Sequence, residues 1–330
     1  MKAIIPFCLV LFLFQSMEVR AAGSSYPYSY ERMEKDVFAL QERYGGLQVG
    51  SIGRSERGKE LWYVKIGKGR EEILLVGSHH GREWITSRFL MKLLKEYAEA
   101  YEAGRSISGY PAHLLDEIAL VFIPMLNPDG VAIQQKGIQG RPFLERWKLL
   151  HMNGYHPDFA RWKANGEGID LNRQYPAGWD ELKKLPAWPF YKQYRGKKPV
   201  QAAEVKALVD FTFRHEPSLA LTYHTSGRQV FWYYRTDSKY IERDYRLAEQ
   251  IADSTGYEVD MPDQGAVGGG YTDWFITTFQ KPAFTIEMCE LVEETNPPAA
   301  CLAKEWQGNK RVPLMLVHEL LQARGADERP

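Results

Sequence analysis

Polar side chains stand where an apolar strand pattern changes to a helical pattern. Residues 72–77 contain the apolar run Ile-Leu-Leu-Val, which predicts a buried strand, and residues 86–103 carry apolar side chains at helical spacing. His80 and Glu83 lie in the turn between them. Side chains three residues apart in such a turn can converge on one point, and both types are zinc ligands. The turn therefore predicts half of a zinc site at a strand-to-helix junction.

A third ligand has to come from a distant part of the chain. His224 is the best candidate, because it follows a second short β-like run at residues 219–223. Two histidines and one glutamate leave a fourth position for water, which is the pattern of a catalytic zinc site. Read singly, His80 and His224 are more often unrelated polar residues near strand ends, and it is the other motifs that favour a shared site. His79 is a rival ligand, four residues before Glu83.

The length and composition favour one α/β catalytic domain over residues 22–330. The chain has 330 residues, of which 44% are hydrophobic, and no change in composition divides it. Residues 137–198 lack periodicity and are interpreted as long surface loops, which are functional in many compact domains. Helical patterns alternate with strand patterns almost throughout. The strands are predicted at residues 61–66, 73–77, 118–124, 219–223 and 283–287, and the helices at residues 29–44, 86–103, 201–213, 241–254 and 303–323.

The charge balance and the first residues bear on partners and location. With 42 basic and 42 acidic residues, the chain gives no electrostatic reason to expect a nucleic acid or an anionic membrane as partner. Residues 1–21 have a lysine, an apolar stretch and a small-residue end, which predicts a signal peptide. A membrane anchor is the alternative, but the apolar stretch is short for a span. We therefore expect a secreted or cell-wall protein without stable membrane association after cleavage.

Two cysteines, Cys289 and Cys301, remain once residues 1–21 are removed. A pair of cysteines in an exported protein is compatible with a disulfide. Two buried free thiols are equally compatible with the composition, because cysteine is often a small core residue. The sequence leaves both alternatives open.

Three further motifs carry polar groups of the types used in catalysis and ligand binding. Residues 127–130, Asn-Pro-Asp-Gly, form by themselves only a turn signal. Asn172 and Arg173 place an amide beside a guanidinium, which suits a substrate carboxylate, although an isolated pair is also common on a solvated loop. Glu287 ends a predicted strand, where α/β proteins place ligand crevices, and is a candidate general base. Its alternative is an exposed strand-end glutamate.

In this order, the motifs resemble the zinc metallocarboxypeptidases of the pancreatic carboxypeptidase A type. The matching stretches are residues 80–84, 127–130, 170–173, 224–226 and 284–287. The string Arg-Trp-Lys-Ala-Asn at residues 161–165 resembles the bacterial branch that cleaves γ-D-glutamyl-diaminopimelate bonds in cell-wall peptides. The joint pattern is specific, although each short motif is not.

The resemblance implies a three-layer α/β/α fold around a central mixed, mostly parallel twisted sheet. It also implies one Zn²⁺ per chain and a peptide substrate with a free carboxylate, here the peptidoglycan stem peptide. The implied roles are zinc binding by His80, Glu83 and His224, proton transfer by Glu287, polarisation of the scissile carbonyl by Arg161, and binding of the substrate carboxylate by Asn172 and Arg173.

One departure from the resemblance concerns a tyrosine. The pancreatic enzymes carry a mobile tyrosine at the position that Gly265 occupies here. Tyr271 and Tyr257 are the possible substitutes, and the sequence assigns the role to neither. Two alternative functions stay open, namely a metallocarboxypeptidase acting on protein C-termini and a non-catalytic wall-peptide-binding protein of the same fold.

Overall fold

The alternating patterns of the sequence become ten strands and nine α-helices in the part of the chain that the computed structural model describes, residues 27–260 and 268–327. The predicted signal peptide and Gly265 lie outside these residues. The strands are β1 Leu47–Arg54, β2 Glu60–Ile66, β3 Glu71–Gly77, β4 Ser106–Ile107, β5 Tyr110–Pro111, β6 Ile118–Ile123, β7 Leu219–Thr225, β8 Gln229–Phe231, β9 Glu258–Val259 and β10 Ala283–Met288. The helices are α1 Tyr30–Arg43, α2 Ile85–Glu102, α3 Pro128–Lys136, α4 Phe143–Met152, α5 Ala203–His215, α6 Ser238–Thr255, α7 Tyr271–Phe279, α8 Cys301–Asn309 and α9 Val312–Asp327.

Eight strands form one mixed sheet in the order β1-β2-β6-β3-β7-β10-β8-β9. The four central strands, β6, β3, β7 and β10, are parallel to one another. The flanking pairs β1/β2, β2/β6 and β10/β8 are antiparallel. Because parallel strands end at the same edge, the C-terminal residues of β3, β7 and β10 come together there.

The two faces of the sheet pack against different helices, as the alternation of side chains along a strand requires. On β3, Ile73 and Leu75 join a core with α1, α2 and α9. Leu74 and Val76 join a second core with α5 and α7. The result is the predicted three-layer α/β/α arrangement.

Two predictions about secondary structure are wrong in detail. Residues 137–198 are not loops throughout, since α4 lies within them and Trp162 belongs to a small buried core. The periodicity of α4 is hidden because Phe143 and Trp147 are exposed on the face opposite Leu149. The single helix predicted for residues 303–323 is two helices, α8 and α9, and α9 has a proline in its first turn, where the missing N–H costs nothing.

The open question about the cysteines is answered by a disulfide. Cys289, just after β10, is bonded to Cys301, the first residue of α8, with their Cα atoms 5.7 Å apart. The bond joins the two ends of residues 289–301, the segment that follows Glu287. No helix among the described residues has the length and apolar character needed to cross a bilayer.

Glu204, in the first turn of α5, is buried and ties that helix to two loops. It accepts hydrogen bonds from the Asn165 side chain at 3.1 Å and from the Glu56 N–H at 3.2 Å. Burial raises the pKa of Glu204 to about 8 from 4.5, because these bonds replace only part of the lost hydration. Between these values the folded protein binds a proton that the unfolded chain does not, so stability must fall as the pH rises.

We predict that Glu204→Gln flattens this pH dependence. In the wild type, this group should lower the free energy of unfolding by up to about 1.4 kcal/mol per pH unit between about pH 5 and 8. Denaturant unfolding of both proteins across this range measures the slope. Glu242→Gln, an exposed carboxylate of α6, should keep the wild-type slope. Equal slopes in the wild type and Glu204→Gln would contradict the prediction.

Candidate active site

Three buried side chains meet at the C-terminal ends of β3 and β7. His80 follows β3 and precedes the 3-10 turn Gly81–Glu83, and His224 is near the end of β7. The two histidine Nδ1 atoms lie 3.1 Å apart. Glu83 places Oε1 2.8 Å from His80 Nδ1 and Oε2 2.9 Å from His224 Nδ1. The three predicted zinc ligands are thus brought together from positions 144 residues apart.

The donor set of this cluster fits a zinc ion. Two imidazole nitrogens and a carboxylate oxygen within 4.8 Å of one another are a ligand set of catalytic zinc sites. Burial raises the pKa of Glu83, but the neighbouring His80 and the hydrogen bonds from both histidines outweigh burial and hold the pKa well below its usual value. The carboxylate is therefore ionised, as a ligand must be.

The rival ligand His79 is placed differently. Its Nε2 lies 3.2 Å from the Tyr175 hydroxyl, and its ring stacks on His224 with centroids 5.2 Å apart. Burial and the neighbouring His224 and His80 lower its pKa, so the ring is neutral. His79 therefore supports the cluster from one side and is not one of its converging groups.

Asp170 contacts His80 Nε2, the ring nitrogen that does not face Glu83. The Asp170 Oδ1 lies 3.2 Å from His80 Nε2, and Oδ2 accepts the Gln193 N–H at 3.0 Å and pairs with Lys163 at 3.3 Å. A metal ion at the cluster would take the place of the proton that His80 Nδ1 donates to Glu83, while Asp170 keeps the proton on Nε2. Asp170 belongs to the motif at residues 170–173, but the sequence alone assigns it no role. An acidic residue two positions before Asn172 was the available signal.

We predict that Asp170→Asn weakens zinc binding about 10–100-fold. An amide cannot stabilise the His80 Nε2 proton as a carboxylate does, so the ligand loses basicity and orientation. Zinc affinity measured by competition with a chromogenic chelator tests this. Asp210→Asn, an exposed carboxylate on α5 paired with Lys206, is the matched control. Wild-type affinity in Asp170→Asn would show that this contact is not needed.

Glu287 lies beside His224 on the neighbouring parallel strand. The two residues are paired in register across β7 and β10. Glu287 Oε2 is buried and has no hydrogen-bond partner among the described residues. Burial and the charge of Glu83 raise the pKa of Glu287 to about 8, and Lys163 and Arg82 offset only part of this. A carboxyl group with a pKa near neutrality, and with one oxygen free of hydrogen bonds beside the zinc-ligand cluster, suits proton transfer.

A cluster of three hydroxyls lies on the same face as His224 and Glu287, two residues earlier on each strand. Thr222 and Thr285 Oγ1 atoms are 3.0 Å apart, and Thr272 from α7 lies 2.7 Å from Thr285 and 3.3 Å from Thr222. Sequence reasoning did not find this hydroxyl cluster. The two-residue spacing before His224 and Glu287 was its only signal, since alternate residues share a face.

Asn172 and Arg173 lie together in the 3-10 turn Leu171–Arg173, directly after Asp170. The Asn172 Oδ1 accepts the Tyr271 N–H at 3.0 Å, at the start of α7. Arg173 Nη1 donates to the Asn172 carbonyl at 2.7 Å. Gly269 has φ 75°, and a Cβ there would lie 2.9 Å from the Leu182 side chain and 3.4 Å from the Arg173 Cα. The glycine-rich stretch before α7 thus lets the two segments approach closely.

The Asn-Pro-Asp-Gly motif begins α3 and secures the ligand turn. Asn127 accepts the Gly130 N–H at 2.8 Å and donates to the His79 carbonyl at 3.0 Å. A Cβ on Gly81 would lie 2.5 Å from the Gly130 carbonyl, so the two backbones touch. The motif is therefore a support for the zinc-ligand turn and not merely a surface turn.

Arg161 is half-exposed, with 52% of its side chain accessible, and stacks over the Tyr191 ring at 5.2 Å. Its Nη1 lies 3.7 Å from Glu294 Oε2. Lys163 and Arg82 are the cations whose charges lower the pKa of Glu287, and sequence reasoning assigned neither of them a role. The carbonyl-polarising role of Arg161 stays a prediction.

The two substitute tyrosines have their hydroxyls engaged elsewhere. The Tyr271 hydroxyl is 3.0 Å from Thr212, and the Tyr257 hydroxyl donates to Glu305 at 2.5 Å. Both side chains are buried. The tyrosine role therefore stays unassigned.

The three-layer fold with this site defines a zinc metallopeptidase. Residues 33–312 match the profile of the zinc carboxypeptidase family, peptidase M14, and the chain belongs to that family.

Two curated relatives illustrate the range of the family. The γ-D-glutamyl-L-diamino acid endopeptidase 1 of Lysinibacillus sphaericus is 33% identical over 286 residues, covering 86% of this chain and 70% of that protein. Carboxypeptidase B of Bos taurus is 24% identical over 291 residues, covering 82% of this chain and 65% of that protein. The chain is thus similar both to a γ-D-glutamyl-L-diamino acid endopeptidase and to a carboxypeptidase B.

Solved structures share the fold. Bovine thrombin-activatable fibrinolysis inhibitor, in complex with tick carboxypeptidase inhibitor, matches with a TM-score of 0.73 at 18% identity, covering 91% of this chain and 99% of that chain. The murein-tripeptide amidase MpaA from Escherichia coli O157 matches with a TM-score of 0.51 at 18% identity, covering 81% and 91%. At such identities the likeness shows the fold alone.

Proposed function

We propose that this chain is an exported zinc peptidase that hydrolyses γ-D-glutamyl-diaminopimelate, or related diamino acid, bonds in peptidoglycan stem peptides. The observation that carries the proposal is the similarity, over 86% of the chain, to an enzyme named for cleaving γ-D-glutamyl-L-diamino acid bonds. The motif at residues 161–165 supports the same branch of the family.

His80, Glu83 and His224 would hold the zinc ion, and Asp170 would orient His80. When bound, zinc polarises the scissile carbonyl and lowers the pKa of a water molecule. Glu287 Oε2, which has no hydrogen-bond partner among the described residues, would accept a proton from the attacking water, and Glu287 would then pass that proton to the leaving amine. Arg161 is proposed to share the negative charge that develops on the carbonyl oxygen.

Asn172 and Arg173 would bind the carboxylate of the departing part of the substrate. The amide and guanidinium are adjacent in one turn, and a guanidinium suits a two-pronged contact with a carboxylate.

Export is supported by two observations of different kinds. Residues 1–21 have the composition of a signal peptide. The Cys289–Cys301 disulfide is of a kind that persists in oxidising compartments. The proposed location is therefore extracellular or at the cell wall.

A metallocarboxypeptidase acting on protein C-termini is the second candidate, favoured by the similarity to carboxypeptidase B. Mass spectrometry of the products from a defined γ-D-glutamyl-diaminopimelate peptide and from ordinary C-terminal peptides separates the two. We expect cleavage of the γ-glutamyl bond, abolished by a chelator. Hydrolysis of the ordinary peptides alone would favour the second candidate.

A further inference from the structure

A single carboxylate, Glu294, is shared by three cations. Lys192 Nζ lies 2.6 Å from its Oε1, and Arg161 Nη1 and Arg82 Nη1 lie 3.7 and 3.9 Å from its Oε2. Arg82 also donates to the Glu294 backbone carbonyl at 3.4 Å. Arg82, Arg161 and Lys192, called here the cation cluster, come from three separate segments of the chain.

The cation cluster is attached to the zinc-ligand residues at two points. Arg82 directly precedes the ligand Glu83 in the same 3-10 turn, and its charge lowers the pKa of Glu287. Lys192 directly precedes Gln193, whose N–H donates to Asp170 at 3.0 Å. The cluster therefore adjoins the proposed site of hydrolysis.

The cation cluster has more positive charge than its partner neutralises. Among the described residues, Glu294 is the carboxylate within 4.0 Å of all three cations, which leaves two positive charges in excess. The pKa of Glu294 is lowered because the hydrogen bond and charge of Lys192 and the charges of Arg82 and Arg161 outweigh its burial. The cluster can therefore accept a second anion, which a chain with balanced overall charge has no general reason to require.

We propose that Arg82, Arg161 and Lys192 form an anion subsite for the free α-carboxylate of the γ-glutamyl residue on the acyl side of the scissile bond. This inference rests on the proposed function. A γ-linked glutamate uses its side-chain carboxyl in the bond and leaves its α-carboxyl free, whereas an α-linked peptide has an amide there. Guanidinium and ammonium groups bind such a carboxylate by charge-assisted hydrogen bonds. Glu294 is the resident counter-ion that shares the cluster with the substrate.

Two peptides that differ in one group test the subsite. One carries the α-carboxylate on its γ-glutamyl residue, and the other carries an α-carboxamide at the same position. We expect kcat/KM to be about 10- to 100-fold higher for the carboxylate peptide, mainly through KM. Equal values, with both peptides cleaved at the γ-glutamyl bond, would overturn the subsite and leave the proposed function intact. Cleavage of neither would overturn both.

Variants of the cluster sharpen this test. Lys192→Ala should lower kcat/KM for the carboxylate peptide at least tenfold more than for the carboxamide peptide. Lys148→Ala, a half-exposed lysine paired with Glu167 outside the cluster, should leave the ratio of the two values unchanged. Glu294→Gln, which removes the resident counter-ion, should lower KM for the carboxylate peptide. A ratio that Lys192→Ala leaves at the wild-type value would contradict the proposal.

Arg161 has a second predicted role, at the scissile carbonyl, and the same peptides separate the two. Losing a contact with the α-carboxylate lowers kcat/KM for the carboxylate peptide alone. Losing polarisation of the scissile carbonyl lowers kcat/KM for both peptides. We expect Arg161→Ala to lower the ratio of kcat/KM for the carboxylate peptide to kcat/KM for the carboxamide peptide. An equal loss on both peptides would remove Arg161 from the subsite. Zinc content and unfolding curves of each variant confirm that the fold and the metal are retained.

Discussion

Replacing Glu287 with glutamine will lower kcat about 10²–10⁴-fold while the protein keeps its zinc. Glutamine preserves the shape of the side chain but cannot accept a proton from water. The effect falls on kcat because Glu287 is a proton-transfer group and not one of the three converging ligands. Steady-state kinetics on the γ-glutamyl peptide, with metal analysis of the same samples, measures it.

The control for this variant lies three residues further along the chain. Glu290 is exposed and pairs with Arg228, so Glu290→Gln should have wild-type kcat. Normal turnover by Glu287→Gln would show that another group carries the proton. Zinc loss in Glu287→Gln would instead make Glu287 part of the ligand set.

Removing zinc will lower turnover at least as much as Glu287→Gln does. A chelator, or the substitution His224→Ala, should lower turnover on the order of 10³-fold or more, since the metal supplies several kcal/mol of charge stabilisation. Added zinc should restore the chelated wild type but not the variant. The wild type should also unfold at a lower temperature without zinc, because metal binding stabilises the folded state.

His113→Ala is the matched control, because His113 is an exposed histidine on the 3-10 turn Ala112–Asp116. It should keep both zinc and turnover. Turnover that a chelator leaves unchanged would contradict the zinc mechanism. A metal-free protein that still binds wall peptides would favour the non-catalytic alternative.

The local part of the site was accessible from the sequence. His80 and Glu83 are three residues apart in one turn, so their convergence depends only on the strand and helix that flank them. His224 was found because it lies near the end of a second strand, and the parallel pairing of β3 with β7 brings the ends of these strands together. The strands were predictable because central parallel strands are continuous apolar runs.

The remaining contacts depend on tertiary structure. Asp170 meets His80 across 90 residues, and no local pattern gives that pairing. Glu294 meets its three cations only because the loop after β10 folds back over the ligand turn. Helix α4 was missed for another reason: its exposed aromatic side chains cancel the contrast between its two faces. Periodicity predicts a buried face only where the opposite face is polar.

The pairing of Glu287 with His224 limits how this protein can change in length. A strand's side chains alternate between faces, so deleting one residue between Ala283 and Glu287 would turn the carboxylate toward the opposite helical layer. Surface loops tolerate insertions far better. Homologues that retain hydrolysis should therefore vary in the length of their connections, while the count of residues in β10 up to this carboxylate stays constant.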